Sequence, residues 1–161
     1  MTGVDCGIET DGTKFRYRSA AIIIEEGRML LLENDRDPYL YTVGGAVKIG
    51  ETSEEAVRRE CTEEIGVSYR TSRLAVVQEE FYREGDGKGG ELDAHELGFF
   101  YVMEPRGTTE GVLESSASEG LTERVRWIPL DELGSYDIVP PFLKDPGSYS
   151  GGLRHTVVQL E

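Results

Sequence analysis

The segment GGAVKIGETSEEAVRRECTEEIGV, residues 44–67, joins a glycine-punctuated loop to a strong helix start. Thr52 is a good N-cap residue, and Glu55 stands three positions later, at the spacing of a capping box. Gly66 can adopt the left-handed conformation that ends many helices. These signals predict a helix over residues 53–65, about which the rest of the fold can be arranged.

Three glutamates lie on one side of this predicted helix. Glu60, Glu63 and Glu64 occupy positions i, i+3 and i+4, which places their carboxylates within about one third of the helix circumference. Like charges at this spacing repel by about 0.2–0.5 kcal/mol per pair. An apolar stripe runs beside them and consists of Val57, Cys61 and Ile65. The acidic edge is therefore expected to lie next to the protein body.

Two interpretations of the acidic edge are open from spacing alone. Carboxylates beside a protein wall are costly unless they are protonated or neutralised by a cation. Oxygen ligands without histidine or thiolate favour magnesium, manganese or calcium. The alternative is a solvated acidic face, the usual fate of helical glutamates. The preceding loop, residues 44–51, favours the ligand interpretation, because its glycines let a ligand approach the backbone near the helix N-terminus.

Apolar and β-branched segments predict strands around this helix. Residues 15–24 and 29–34 are predicted to form a hairpin, and residues 73–84 and 94–103 an antiparallel pair joined by a flexible loop. The polar stretch 104–123 is predicted to be a long mobile loop. One early helix, several strands and a short late helix indicate a mixed α/β sandwich.

The glycine and charged positions of the loop and helix form a longer pattern. Gly45 is followed by five residues, Glu51, seven residues, and then the run RECTEEIGV, residues 59–67. This pattern resembles the Nudix box, and every polar and glycine position of the box is present. Cys61 replaces a bulky aliphatic residue, and Val43 stands where many members have proline. The resemblance implies an α/β fold, namely a Nudix-type α/β/α sandwich with a mixed β-sheet.

The resemblance also implies a chemistry. Nudix hydrolases use water to cleave a nucleoside diphosphate linked to another moiety, with divalent cations that neutralise the phosphate charge and lower the pKa of bound water. Magnesium is the expected cofactor, with manganese as an alternative. The expected ligands are the Gly45 carbonyl, Glu60, Glu63 and Glu64, with Glu63 supporting a second ion or its water shell. Glu51 and Arg59 are expected to hold the loop against the helix rather than to bind metal directly.

The general base is not fixed by the box. Glu60 is the candidate within the helix, whereas the segment SSASEGLTER, residues 115–124, supplies Glu119 and Glu123 just before a predicted strand. We favour Glu119 as a late metal ligand or base, and the alternative is that both loop glutamates are merely exposed. The predicted catalytic residues are thus Glu60, Glu63 and Glu119.

Weaker signals concern substrate binding. Tyr41 and Tyr82 could stack on a nucleobase, and His95 could contact phosphate or shuttle a proton. The competing interpretation for each residue is packing in the core or at a strand end. The residues that recognise the base and the second moiety lie outside the box, so the substrate itself is not readable from it.

Composition limits the partners. The 161 residues fit one domain, 1–161, with residues 1–13 as a loose lead-in. The formal net charge of −14 disfavours long nucleic acid, whereas a small nucleotide carried with a divalent cation is compatible with it. No signal peptide or membrane-spanning run is evident, so we expect a cytoplasmic protein that does not bind membranes. Cys6 and Cys61 are expected to be free thiols. A homodimer is compatible with the sequence.

Two other function classes compete with a hydrolase. The first is a catalytically silent Nudix-like module that binds a nucleotide metabolite and regulates. Such modules often lose box glutamates, whereas this chain keeps all of those in the box: Glu51, Glu60, Glu63 and Glu64. The second is a calcium-binding acidic domain, but the alternating Asp and Asn ligands of an EF-hand loop do not appear in the sequence.

Overall fold

A computed structural model describes residues 3–118 and 120–160, and about half of them belong to two six-stranded sheets. The strands of the first sheet are β1 (Gly7–Thr10), β2 (Thr13–Ile22), β6 (Gly44–Ala46), β7 (Thr71–Gly85), β8 (Glu91–Met103) and β12 (Arg154–Gln159). Their order is β1-β2-β8-β7-β12, and β6 pairs with β2. The β2–β8 and β7–β12 pairs are parallel, so this sheet is mixed.

The second sheet is built from shorter strands. They are β3 (Ile24–Glu25), β4 (Arg28–Asn34), β5 (Leu40–Tyr41), β9 (Ser115–Ser118), β10 (Leu121–Pro129) and β11 (Ile138–Val139). Their order is β11-β5-β4-β10-β9, and β3 pairs with β4. The long β10 places its first residues beside the end of β4, with Glu123 opposite Asn34. This pairing brings a late part of the chain next to an early one.

Helix α1 spans Ser53–Ile65, as the capping signals predict. The Thr52 hydroxyl accepts a hydrogen bond from the Glu55 amide at 3.1 Å, and the Glu55 carboxylate accepts one from the Thr52 amide at 2.8 Å. Gly66 ends the helix with φ 73°, in the left-handed region. Three short 3-10 helices follow in the C-terminal third: Leu130–Ser135, Pro141–Lys144 and Pro146–Ser148.

The last four residues of β2 and most of β4 form the centre of the molecule, because both faces of these segments are buried. Ala20 and Ile22 face one core cluster, which the 3-10 helices cover, while Ala21 packs in a second cluster against α1. In the same way, Leu31 contributes to the first cluster and Leu30 to the second. This alternation produces helical layers on both sides of the strands, and the α/β/α sandwich expected from the sequence is confirmed, with 3-10 turns in place of a long second helix.

The predicted hairpin of residues 15–24 and 29–34 is wrong for most of its length. β2 pairs in parallel with β8, and only the two-residue β3 forms a hairpin with β4, through Ile24 opposite Met29. A strand that is buried on both faces lacks the alternation that identifies its partner, so the sequence could not assign it. The predicted antiparallel pairing of β7 with β8 is confirmed.

Two segments are more ordered than the sequence suggests. Residues 1–13 are predicted to be a loose lead-in, of which residues 1 and 2 lie outside the described residues. In the remainder, β1 pairs with β2 and the Cys6 amide donates to the Val47 carbonyl at 2.7 Å. In the polar stretch 104–123, β9 pairs with the start of β10. Both segments are held by main-chain hydrogen bonds, which leave little trace in a hydrophobic pattern. Across the described residues, no helix is long and apolar enough to cross a membrane.

Candidate active site

Arg59 fixes the glycine-rich loop onto α1. Its guanidinium donates two hydrogen bonds to the Glu51 carboxylate, at 2.6 and 3.1 Å, and one to the Ala46 carbonyl at 3.1 Å. Glu51 also accepts from the Lys48 amide at 2.9 Å. The hydrogen bonds from Arg59 hold the pKa of Glu51 below its ordinary value. The structure therefore places Glu51 and Arg59 between the loop and the helix.

Glu60 lies against the loop backbone. Its carboxylate accepts a hydrogen bond from Arg59 Nη1 at 2.8 Å, and a Cβ built on Gly45 would lie only 2.6 Å from Glu60 Cδ. Any side chain at position 45 would thus displace this carboxylate. Glu63 also accepts from Arg59, at 3.1 Å, but its side chain is 54% exposed, compared with 12% for Glu60. The two carboxylates therefore differ in how closely the protein holds them.

Glu64 faces the opposite side of this acidic edge. It accepts a hydrogen bond from the Gly44 amide at 3.3 Å, and it forms no ion pair with the described residues. Burial raises the pKa of Glu64 strongly, and the negative charges of Glu60 and Glu123 add to the shift. The folded chain thus holds this carboxylate in surroundings that disfavour its ionised form.

Glu123 completes the acidic group from the second sheet. The Tyr41 hydroxyl donates a short hydrogen bond to Glu123 Oε2 and accepts one from Asn34 Nδ2 at 2.9 Å. Asn34 is buried, and its side-chain oxygen caps the amides of residues 36 and 37. Glu119, the glutamate that the sequence analysis favours, lies outside the described residues. The structure places Glu123 beside Glu64, where both side chains line one cleft.

The donor set fits a hard divalent cation. Glu60 and Glu64 lie one helical turn apart, the Gly45 backbone touches Glu60, and all of these groups offer oxygen. Within residues 3–118 and 120–160, no three acidic, histidine or cysteine side chains already converge on one point that could hold a metal ion. Three features therefore suit a divalent cation. They are the oxygen donors, the close approach of the Glu60 carboxylate to Gly45, and Glu64, which forms no ion pair with the described residues.

Two open clefts border this acidic edge. The larger, of about 930 Å³, contains Glu64, Glu123 and the predicted substrate residues Tyr41 and Tyr82 in its lining. The smaller, of about 450 Å³, contains Glu60 in its lining. The cationic and thiol-bearing residues of the smaller cleft are Cys6, Lys14, Arg16 and Lys48. The acidic edge of α1 therefore separates two spaces, each large enough to take part of a ligand.

His95 is not brought to this site. Its ring stacks on Phe81, with centroids 4.4 Å apart, and meets the edge of Phe15 at 5.4 Å. Neighbouring Glu96 lines the larger cleft, whereas His95 lines neither cleft. Successive residues of a strand point to opposite faces, so a one-residue difference decides access to the cleft.

The floor of the larger cleft was not predicted from the sequence. Strands β2, β8 and β7 lie in register there, so that Arg16, Glu96 and Glu80 form one row across the sheet. Arg18, two residues along β2, lines the same cleft. The signal was present in the alternating segment KFRYR, residues 14–18, whose cationic side chains recur with period two. The sequence could not show that these side chains line a cleft, because this depends on which strands lie beside β2.

Comparisons with known proteins agree with this architecture. A family model described as "NUDIX domain" matches residues 14–146, and no curated protein matches the chain. The mutator MutT protein from Bacillus halodurans is 19% identical over 86% of this chain and 85% of that chain, with a TM-score of 0.63.

Two further solved structures are similar. The MutT NUDIX hydrolase from Burkholderia pseudomallei is 26% identical over 73% of this chain and 84% of that chain, with a TM-score of 0.54. A UDP-X diphosphatase is 14% identical over 87% of this chain and 66% of that chain, with a TM-score of 0.53. These likenesses confirm the predicted α/β fold class.

Proposed function

Because the chain belongs to the Nudix family of pyrophosphate hydrolases, we propose that it is a magnesium-dependent enzyme for a nucleoside diphosphate linked to a second moiety. The observation that carries this proposal is the position of the acidic edge of α1 between two clefts. Glu64 borders the larger cleft and Glu60 the smaller one. A pyrophosphate held at this edge would extend one substituent into each cleft.

The predicted metal ligands keep their roles in this proposal. The Gly45 carbonyl, Glu60 and Glu64 would hold the cation, and Glu63, more exposed, would hold a second ion or its water shell. The bound cation supplies charge neutralisation and an acidified water. Manganese would satisfy the same oxygen donors. Glu51 and Arg59 hold the loop so that Gly45 stays against Glu60.

Three glutamates are candidates for the base that accepts a proton from water. Glu60 and Glu119 are the sequence candidates, and Glu123 joins them because Tyr41 holds it beside Glu64. The Tyr41 hydroxyl donates its hydrogen bond to Oε2 of Glu123, while Oε1 accepts no hydrogen bond from the described residues. That oxygen is suited to accept a proton from a water at the cleft surface.

The larger cleft is the better candidate for the nucleoside. Tyr39 and Tyr41 contact each other edge to face, with centroids 6.3 Å apart, and Tyr82 lies across the cleft floor. Aromatic rings of this kind can stack on a base. One structural neighbour is named a UDP-X diphosphatase, and a uracil nucleotide belongs in the test panel for that reason. The cytoplasmic location and the homodimer stay predictions.

The proposal is tested by phosphate release from a panel of nucleotides. The panel contains ADP-ribose, UDP-sugars, dinucleoside polyphosphates and oxidised nucleoside triphosphates, each with magnesium and with EDTA. Glu64→Gln should lower the activity by about 10²- to 10³-fold, whereas Glu54→Gln, an exposed change on the same helix, should retain it. Magnesium-dependent turnover at the wild-type rate in Glu64→Gln would refute the proposed site. Tight binding of one compound without any turnover would support the regulatory module instead.

A further inference from the structure

Arg18 lacks the anionic partner that its surroundings lead one to expect. The side chain is half-buried in the lining of the larger cleft, and its Nη2 donates to the Thr42 carbonyl at 3.2 Å. Its Nε is fully buried and has no hydrogen-bond partner among the described residues. No described carboxylate forms an ion pair with it, whereas neighbouring Arg16 pairs with Glu96 at 3.5 Å. A partly buried guanidinium without an anion is costly.

The positive charge of Arg18 acts on both sides of the cleft. Burial raises the pKa values of Glu64 and Glu80, and in both cases the charge of Arg18 opposes the shift. Burial also raises the pKa of Tyr39, which Arg18 again opposes. These three residues come from α1, from β7 and from the segment before β5. Arg18 therefore lies between the acidic edge of α1 and the floor of the larger cleft, where a ligand that contacts both would pass.

The other acidic residues of the larger cleft would repel an anionic ligand. Four glutamates line it, namely Glu64, Glu80, Glu96 and Glu123. Two of its other arginines are less suitable partners, because Arg83 pairs with Asp93 at 3.0 Å and Arg36 is exposed. Arg18 is thus a half-buried cation of this cleft that forms no ion pair with a described carboxylate, although its charge acts on Glu64 and Glu80 from a longer distance.

We infer that Arg18 binds the substrate phosphate that extends into the larger cleft, beyond the cations held by α1. A guanidinium offers several donors in a planar fork that matches phosphate oxygens, and Nε is one of these donors. The inference rests on the proposed function, since it names the group that holds the second phosphate of the same substrate. Arg18 would make a substrate with a phosphate on this side bind more tightly than one without it.

The test compares three substitutions in the full chain. Arg18→Gln removes the charge and the fork, and Arg18→Lys keeps the charge alone. Arg58→Gln, on the exposed face of α1, is the matched control for loss of one positive charge. Steady-state constants are measured on the best substrate of the panel, together with thermal melting. Calorimetry with ADP in the presence of calcium measures binding separately from turnover.

Arg18→Gln should raise KM and weaken ADP binding by about 10- to 100-fold, with kcat changed by less than about threefold. Arg18→Lys should recover part of the loss, because it cannot form the fork. Arg58→Gln should leave all constants within about twofold.

Two results would overturn the inference. The first is an unchanged KM and ADP affinity in Arg18→Gln with a lowered melting temperature, which would make Arg18 only a support for the Thr42 carbonyl. The second is a wild-type chain that binds no ADP. If no panel compound is cleaved, the proposed function fails, yet the ADP measurement still decides the role of Arg18. If Arg18→Gln does not fold, the comparison of Arg18→Lys with wild type decides it.

Discussion

The carboxylates around α1 fall into two groups with different surroundings. Toward the loop, Glu51 and Glu60 share the guanidinium of Arg59 through hydrogen bonds of 2.6 to 3.1 Å. Toward the larger cleft, Glu64 and Glu123 have no cationic partner of this kind among the described residues, and burial raises the pKa of Glu64. The first group acts as an anchor for the loop. In the second group, a bound cation would offset the cost of ionising the buried Glu64.

The largest effect on activity should come from replacing Glu64, the carboxylate that lacks an ion-pair partner. Glu64→Gln should lower kcat/KM with magnesium by about 10²- to 10³-fold, the range found when a key electrostatic group is lost from an active site. Isothermal titration should show weaker magnesium binding in the same variant. Glu54→Gln serves as the control, and wild-type metal affinity in Glu64→Gln would place the cation elsewhere.

Breaking the anchor should affect stability more than Glu64→Gln does. Arg59→Gln leaves Glu51 and Glu60 shielded from water without their partner, so we expect the free energy of unfolding to fall by about 2–3 kcal/mol. Urea denaturation of the metal-free protein measures this loss. Arg58→Gln, one residue earlier on the exposed face, should change it by less than about 0.5 kcal/mol. Equal losses in the two variants would mean that the anchor has no special role.

Tyr41→Phe should have a smaller effect, confined to catalysis. It removes the hydroxyl that donates to Glu123 but keeps the ring in the cleft lining. If that hydrogen bond positions Glu123, kcat should fall by about tenfold, and the pH–rate profile should shift. Tyr39→Phe, on the neighbouring ring, is the control. An unchanged profile with a raised KM would indicate that Tyr41 serves in stacking only.

The smallest effect concerns pH and the metal-free protein. The pKa of Glu64 in the folded chain lies above its ordinary value of 4.5, so the folded state retains a proton that the unfolded chain has released. Stability should therefore fall as pH rises from about 4.5 toward the raised pKa. Glu64→Gln lacks this cost and should melt about 2–4 °C higher than wild type near pH 8, for a gain of about 1 kcal/mol.

That difference should shrink toward pH 5, because Glu64 of the folded wild type is then neutral as well. Scanning calorimetry in EDTA at several pH values measures it. Adding magnesium should stabilise the wild type and not the variant. A variant that melts lower than wild type at pH 8 without metal would contradict the assignment of Glu64 as an uncompensated carboxylate.

Local signals were predictable from sequence, and long-range ones were not. The ends of α1 follow from Thr52, Glu55 and Gly66, which act within a few residues of each other, and the predicted bounds are confirmed. The spacing of the glutamates likewise needs only a helix. The partners of β2 could not be predicted, because its apolar run is buried on both faces and carries no register information.

The predicted substrate-binding residues likewise depend on long-range contacts that the sequence does not reveal. Tyr41 and His95 gave equally weak signals, yet one lines the larger cleft and the other packs against Phe81. Their faces depend on the neighbouring strands rather than on the residues themselves. Arg18 was overlooked for this reason, since its importance arises from Glu64 and Glu80, which reach it from distant segments. Glu123 lies near the acidic edge of α1 because β10 pairs with β4, which the sequence did not predict.

The parallel pairing of β2 with β8 also sets an order of events during synthesis. Residues 13–22 are synthesised before residues 93–102, so the middle of the first sheet cannot close until the later segment is available. Pairings so far apart in sequence slow folding, because a long loop must be closed before any contact is gained. Until then Ala20 and Ile22 lack Phe100, a later member of their core cluster, so this part of the apolar run SAAIII is incompletely shielded on the nascent chain.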